Sequence, residues 1–396
     1  MNIDKDYVIC LRRMLHQYPE TGFELPRTLA LVKAELENIG IYYTEKYGTN
    51  SVVGVINPEH TEFTIGLRAD MDALPVDEKN DVPYKSKIAG KMHACGHDAH
   101  TAILLGTAKA LYEMREQISC RVMLLFQPSE EGPESGAERM VADGVMDDID
   151  IILALHVDGW TESGKIGICK GDSMASQRSF RIEFFGQTAH ATLPQTGCDA
   201  LAAAVRTYNN IHLMLTREVD PFAHYVCSVG KLCAGTTQNV VPDYAEMLGT
   251  IRTFDMELDR FLFGKVEKIA KHAADECGVR AEVSSLLNMY NLYNDPGLSD
   301  LLIAAAKKVV GGENVVSITP KLSSEDFSQY LTKKPGLLFR LGTRNEKKGI
   351  TSLPHNNDFQ IDEDALPLGC RVFVQFVLDN MSGVNKSQAG DEFAEK

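Results

Sequence analysis

Four short apolar runs, each leading into residues that titrate or bind metals, limit what this chain can fold into. Residues 63–69 pass into Asp70-Met71-Asp72, residues 121–126 into Gln127-Pro128-Ser129-Glu130-Glu131-Gly132, and residues 149–155 into His156. Residues 337–341 lead to a loop holding Leu353-Pro354-His355-Asn356. Each run reads as a strand, rich in β-branched or other apolar residues. The near-continuous run at 149–155 fits a sheet covered by helices on both faces. In a parallel sheet the carboxyl ends of the strands share one edge, and open α/β folds bind ligands there.

The spacing predicts helices over 7–17, 25–39, 100–114 and 137–143, and a strand over 51–56. Around the small residues 173–176 the pattern changes. A strand at 180–185, a helix at 199–215, strands at 224–232 and 245–252, a helix at 257–277 and a strand at 280–287 follow. This βαββαβ order describes a split-βαβ, ferredoxin-like sandwich of about a hundred residues. The αβ pattern then returns, with a helix at 298–310, the strand at 337–341 and a helix at 365–378. The expected fold is α/β: a metal-binding catalytic domain with a mainly parallel sheet, formed by residues 1–176 and 288–381 and interrupted by a satellite at 177–287. Residues 382–396 read as a polar tail, and 396 residues is the length of two domains.

Charge excludes some partners. With 40 Lys+Arg against 55 Asp+Glu the formal charge is −15, so neither nucleic acid nor an anionic membrane is expected to bind. The first twenty residues have no continuous apolar stretch of the kind a signal peptide uses, and no segment approaches the ~20 apolar residues of a membrane span. Nine scattered cysteines suit reduced thiols in the cytoplasm rather than a disulfide framework.

One segment concentrates ligand chemistry. Residues 93–100, HACGHDAH, carry three His, one Cys and one Asp. A lone His or Cys is most often structural, but thiolate and imidazole side by side are preferred ligands of zinc-like ions. Two ligands do not hold a catalytic metal, so the rest must come from the strand ends. Taken singly, Glu130-Glu131 reads as a solvated loop, His156 as a packed core histidine, and Asp70 and Asp72 as turn or cap residues. Their joint occurrence after strands favours a site with enough thiolate, imidazole and carboxylate for two ions.

RADMDALP, HACGHDAH, QPSEEG and LPHNNDF, in that order, resemble the amidohydrolase branch of the zinc aminoacylase and carboxypeptidase family, whose members include hippurate hydrolase, auxin-conjugate amidohydrolase and N-acetyldiaminopimelate deacetylase. The likeness runs from about Leu15 to Leu378. It implies the interrupted two-domain fold, with the satellite as lid and dimerisation surface of a homodimer. It also implies five metal ligands, Cys95, His97, Glu131, His156 and His355, for two divalent ions, with zinc or manganese expected and cobalt or nickel as alternatives. Glu130 falls on the general-base position. His190, in GQTAHATLP, falls on a lid histidine that polarises the scissile carbonyl, often across the dimer. Asn239 in QNVVP and Arg252 in GTIRTF fall on residues tied to the substrate carboxylate and oxyanion. Asp72 resembles a carboxylate that orients a ligand. Relatives commonly carry a His where this chain has Gln195, a difference that bears on substrate preference.

The implied reaction is hydrolysis of an N-acyl amino acid or small amino-acid conjugate to a free amino acid and a carboxylic acid. Arg252 and the ions would make a cationic pocket in an acidic protein. The alternatives are a dipeptidase- or carboxypeptidase-like enzyme, whose peptide bond presents the same carbonyl, and a catalytically silent binder of metals or small molecules. Glu130 beside Glu131 argues against the binder, which needs no base. Thiol redox chemistry is weaker still, because Cys95 has no cysteine nearby in the sequence to resolve a disulfide.

Overall fold

A computed structural model describes residues 3–383; most of the predicted polar tail, residues 384–396, lies outside them. The chain divides into two compact units, one from Met1–Ser173, Tyr293–Thr319 and Asp326–Lys396, the other from Met174–Leu292 and Pro320–Glu325.

The first unit is built on an eight-stranded sheet. Its order is Tyr42–Thr44, Val52–Ile56, Arg121–Gln127, Thr64–Asp70, Ile151–Glu162, Gly336–Arg344, Ile166–Ile168 and Val315–Ser317. The four longest strands, 121–127, 64–70, 151–162 and 336–344, lie together and parallel. Antiparallel pairs occur outside this block. Every residue of Thr64–Asp70 is buried, so both faces of the sheet are covered. The helix His97–Glu113 is buried over most of its circumference. Its Ile103 and Leu104 join Leu67, Leu124, Leu153, Phe339 and Phe373 in one apolar core. The Phe339 and Phe373 rings meet edge to face at 5.3 Å, a geometry aromatic quadrupoles favour.

The second unit is a four-stranded antiparallel sheet in the order Tyr225–Ala234, Tyr244–Thr253, Gln177–Phe185 and Arg280–Met289. Strict alternation along Gln177–Phe185 buries Phe180, Ile182 and Phe184. They share a core with residues of the helices Ala200–Arg217 and Met256–Cys277. Asp199 and Asp255 cap these helices, each accepting from a backbone N–H of the first turn. The strand order is that of a ferredoxin-like sandwich.

Two expectations need correction. The strand expected at 149–155 runs from Ile151 to Glu162, so His156 lies inside it and not past its end. The polar residues Asp158, Thr161 and Glu162 hide that continuation, which pairing with Gly336–Arg344 enforces. The helix expected from residue 100 starts at His97, placing this histidine on the first helical turn. The three-residue strands at 42, 166 and 315 are too short to leave a periodic signal. No helix among the described residues is long and apolar enough to cross a membrane.

Candidate metal centre

The parallel strands set out the site. Asp70 closes its strand, Gln127 closes the next and leads into the Glu130-Glu131 loop, and His355 lies in the loop beyond Gly336–Arg344. His156 pairs in register with Arg340 of the neighbouring strand. Between Cys95 and His97, Gly96 takes φ +98°, and a Cβ there would lie 2.4 Å from Val157 Cγ2. Only glycine both turns the chain there and lets it approach the His156 strand. At the opposite end of the Glu130-Glu131 loop, a Cβ on Gly136 would stand 1.8 Å from the Pro128 carbonyl.

Hydrogen bonds define which imidazole nitrogens face the centre. His97 Nδ1 donates to the Asp72 carbonyl at 2.8 Å and His156 Nδ1 to the Val157 carbonyl at 2.6 Å. Both rings therefore present Nε2 as a lone pair. His156 Nε2 lies 3.4 Å from Cys95 Sγ. His355, at φ +70°, is held by its N–H to the Ala94 carbonyl at 2.8 Å. Its Nε2 stands 3.2 Å from Glu131 Oε1.

Two groups of potential ligand atoms result, Cys95–His97–His156 and Cys95–Glu131–His355, each with all atoms within 4.8 Å of one another. Cys95 belongs to both. Glu130 joins a third group with His97 and Glu131; its Oε2 lies 3.9 Å from His97 Nε2.

The donor set fits divalent ions on an observation independent of the likeness. His97 Nε2 is buried and makes no hydrogen bond. A buried polar atom left unpaired costs about 1–3 kcal/mol, and ligation would satisfy it. By contrast the group Asp70–His97–His100 is largely occupied internally. His100 Nδ1 donates to Asp70 Oδ1 at 2.6 Å, and its Nε2 accepts the Val157 N–H at 2.9 Å. Asp98 is likewise engaged, with Arg12 Nε at 2.8 Å and His16 Nδ1 at 2.7 Å. His93, the first histidine of the motif, joins neither ligand group sharing Cys95.

Asp72 binds three parts of the centre at once. Besides the carbonyl contact to His97, its Oδ1 accepts the Glu130 N–H at 3.0 Å and its Oδ2 the Glu131 N–H at 3.1 Å. Its carboxylate thus braces the backbone of both glutamates.

Charge in the cluster is mutually dependent. Burial pushes the Cys95 thiol up, and Glu131 adds to that. Burial also holds His156 well below the usual histidine range, assisted by Arg340. Burial would raise Glu131, but His355 and His97 outweigh it and hold it down. Hydrogen bonds to Cys95 and Glu131 push His355 up to about 10.

If His355 and Cys95 ligate a cation, the protons that these surroundings hold on both near pH 7 must leave first. The apparent zinc affinity should rise with pH toward 10, by about tenfold per unit for each proton displaced. Calorimetric titrations in buffers of different ionisation enthalpy should register proton release; a pH-independent affinity between 6 and 9 would contradict this account.

Asn239, Arg252 and His190 belong to the second unit. The strand Ala189–His190 pairs with Val240–Val241, and the Ala191 N–H donates to the Asn239 carbonyl at 3.0 Å, so His190 and Asn239 are neighbours. His190 is exposed. Its Nδ1 accepts the Thr192 N–H at 3.2 Å, which leaves the ring proton on Nε2. Arg252 is half-buried, with one terminal nitrogen donating to Thr250 Oγ1 at 2.7 Å.

Sequence reasoning passed over Arg68, Gln127 and Asp326, which form a buried network under the centre. The signal was an arginine inside an otherwise apolar strand.

A family model described as peptidase family M20/M25/M40 matches residues 66–379. Thermostable carboxypeptidase 2 of Saccharolobus solfataricus is 38% identical over 368 residues, covering 92% of this chain and 93% of the relative. IAA-amino acid hydrolase ILR1-like 4 of Arabidopsis thaliana is 35% identical, covering 98% and 90%. A Bacillus subtilis structure described as a dinuclear metal binding peptidase from the M20 family is 30% identical, with a TM-score of 0.83, covering 96% of this chain and 99% of that one.

Proposed function

This chain belongs to peptidase family M20/M25/M40 and is a metal-dependent amide hydrolase, and from that premise we propose that it cleaves N-acyl amino acids or small amino-acid conjugates. The observation that carries this reading is the position of Cys95 in two ligand groups at once, with the carboxylate of Glu130 beside them. Cys95, His97 and His156 would hold one ion, and Cys95, Glu131 and His355 the other. The ions would supply Lewis acidity, which polarises a carbonyl and brings the pKa of a water toward ~7.

The chain's own residues do the rest. Glu130 takes the proton of the attacking water and returns it to the leaving amine nitrogen. Its backbone N–H is held by Asp72 Oδ1, as that of Glu131 is by Asp72 Oδ2. His190, with its proton on Nε2, offers a donor to the developing oxyanion, a contribution of about 3 kcal/mol for a good donor. Asn239, beside His190, and Arg252 recognise the polar end of the substrate; the planar guanidinium suits a carboxylate. Burial lowers the pKa of Arg252, but an arginine stays charged near neutrality.

The second unit also supports a homodimer. Leu201, Val205 and Tyr208 are exposed at i, i+4 and i+7 on the helix Ala200–Arg217, an apolar stripe of the kind that seeks a partner. A monomer by light scattering would count against it. The scattered unpaired thiols support work in the cytoplasm.

The Saccharolobus relative, named a carboxypeptidase, favours small peptides as a second reading. Acetyl-, benzoyl- and aminoacyl-amino acids should be assayed after chelation and re-addition of zinc, manganese, cobalt or nickel. Faster turnover of the acyl compounds is expected. Turnover of aminoacyl compounds alone would move the assignment to a dipeptidase, and turnover of none would remove it.

A further inference from the structure

One guanidinium joins the two halves of the centre from beneath. Arg68 is 1% exposed, in the middle of the strand Thr64–Asp70. Its Nε donates to Gln127 Oε1 at 2.8 Å, one terminal nitrogen to Asp70 Oδ2 at 2.6 Å, and the other to Asp326 Oδ1 at 2.8 Å. Asp326 also accepts from Gln127 Nε2 at 2.8 Å, from Ser135 Oγ at 2.7 Å and from the Ala137 N–H at 3.3 Å. Gln127 precedes the Glu130-Glu131 loop and Ser135 ends it, so Asp326 ties both ends of that loop together. In the other direction, Asp70 Oδ1 accepts from His100 Nδ1 at 2.6 Å, and His100 Nε2 accepts the N–H of Val157 at 2.9 Å. Val157 follows His156.

We propose that Arg68 is a positioning residue that sets the Glu130-Glu131 loop in register with the His156 strand, so that base and ligands meet at one place. The inference rests on the roles given above to Glu130, Glu131 and His156. Two physical arguments favour it. The three partners lie in three directions that a planar fork reaches together and a lysine ammonium does not. A buried ionic network is also a weak source of net stability, since apolar side chains of like volume often serve as well. Accurate placement is what such a network adds, and a displacement of about 1 Å costs about a hundredfold in rate.

Arg68→Lys, Asp326→Asn and the double variant test it, with full-length protein chelated and then titrated with Zn2+ against a chromophoric competitor. Each single variant should lose about a hundredfold in kcat, with KM within about threefold. Each should also hold the weaker zinc equivalent about tenfold less tightly. The double variant should lose little more than either single one, because the residues act as a unit. Arg68→Lys with wild-type kcat and two tightly held ions would overturn the proposal, as would fully additive losses. Should Arg68→Lys not fold, Ser135→Ala, at the far end of the loop, decides: about a tenfold loss of kcat with a cooperative thermal transition is expected, and unchanged kcat and zinc retention would refute coupling. Glu130→Gln run alongside separates the two readings. If it is as active as wild type, the assignment of the base fails, while zinc retention still tests Arg68.

Discussion

Glu130→Gln should lower kcat about a thousandfold while the protein still retains both ions and KM stays within a few-fold. General acid–base catalysis contributes about 10²–10⁴ in rate, and glutamine keeps the size of the side chain but accepts no proton at neutral pH. The separation of effects follows from the loop. Glu131 Oε1 lies 3.2 Å from His355 Nε2, within a ligand group that shares Cys95. Both Glu130 and Glu131 are held by backbone bonds to Asp72 that an amide at position 130 leaves intact. Metal content by atomic absorption, measured beside steady-state kinetics, checks both halves. Wild-type turnover on every cleaved substrate would dismiss Glu130 as the base; loss of metal together with rate would make it a ligand instead.

Cys95→Ala should be more damaging than loss of any histidine in the cluster. His156 and His355 each enter one of the two ligand groups that share Cys95, so removing either leaves the other group whole. Removing the thiol would break both, and two ions held there would repel each other without a common anionic ligand to offset it. Cys95→Ala is expected to hold fewer than one ion after passage through dilute chelator, with activity down at least about a thousandfold. His355→Ala should still hold one. Because Cys95 is small and buried, the alanine variant should keep its circular dichroism spectrum. A Cys95→Ala protein that retained two ions would show that the thiolate is not shared.

Much of this was legible in the sequence because it depends on local pattern. The apolar runs located the starts of the four central strands to within two residues, though not all of their ends, and the run at 180–185 announced a strand of the second sheet. HACGHDAH was conspicuous because ligand-type residues crowded into it. Other features depended on tertiary pairing and had no such trace. The strand through His156 continues past polar residues because Gly336–Arg344, far along the chain, supplies its hydrogen bonds. Asp326 follows Ser323, Ser324 and Glu325 in a stretch for which the sequence offered no reading, and only folding brings it to Arg68. His100 and Asp98 look like ligands in the motif; their nearest partners, Asp70, Arg12 and His16, come from other elements.

The strand order of the first unit also bears on biosynthesis. Ile151–Glu162 is complete long before its neighbour Gly336–Arg344 leaves the ribosome, so a central strand waits with one edge unpaired while the whole second unit is made. That unit has a core of its own and can fold during the interval, whereas the first cannot close. Such an open edge is where a nascent chain pairs wrongly. On the ligand assignment proposed above, an ion that calls on His355 would be captured only near the end of translation, after both units have been made.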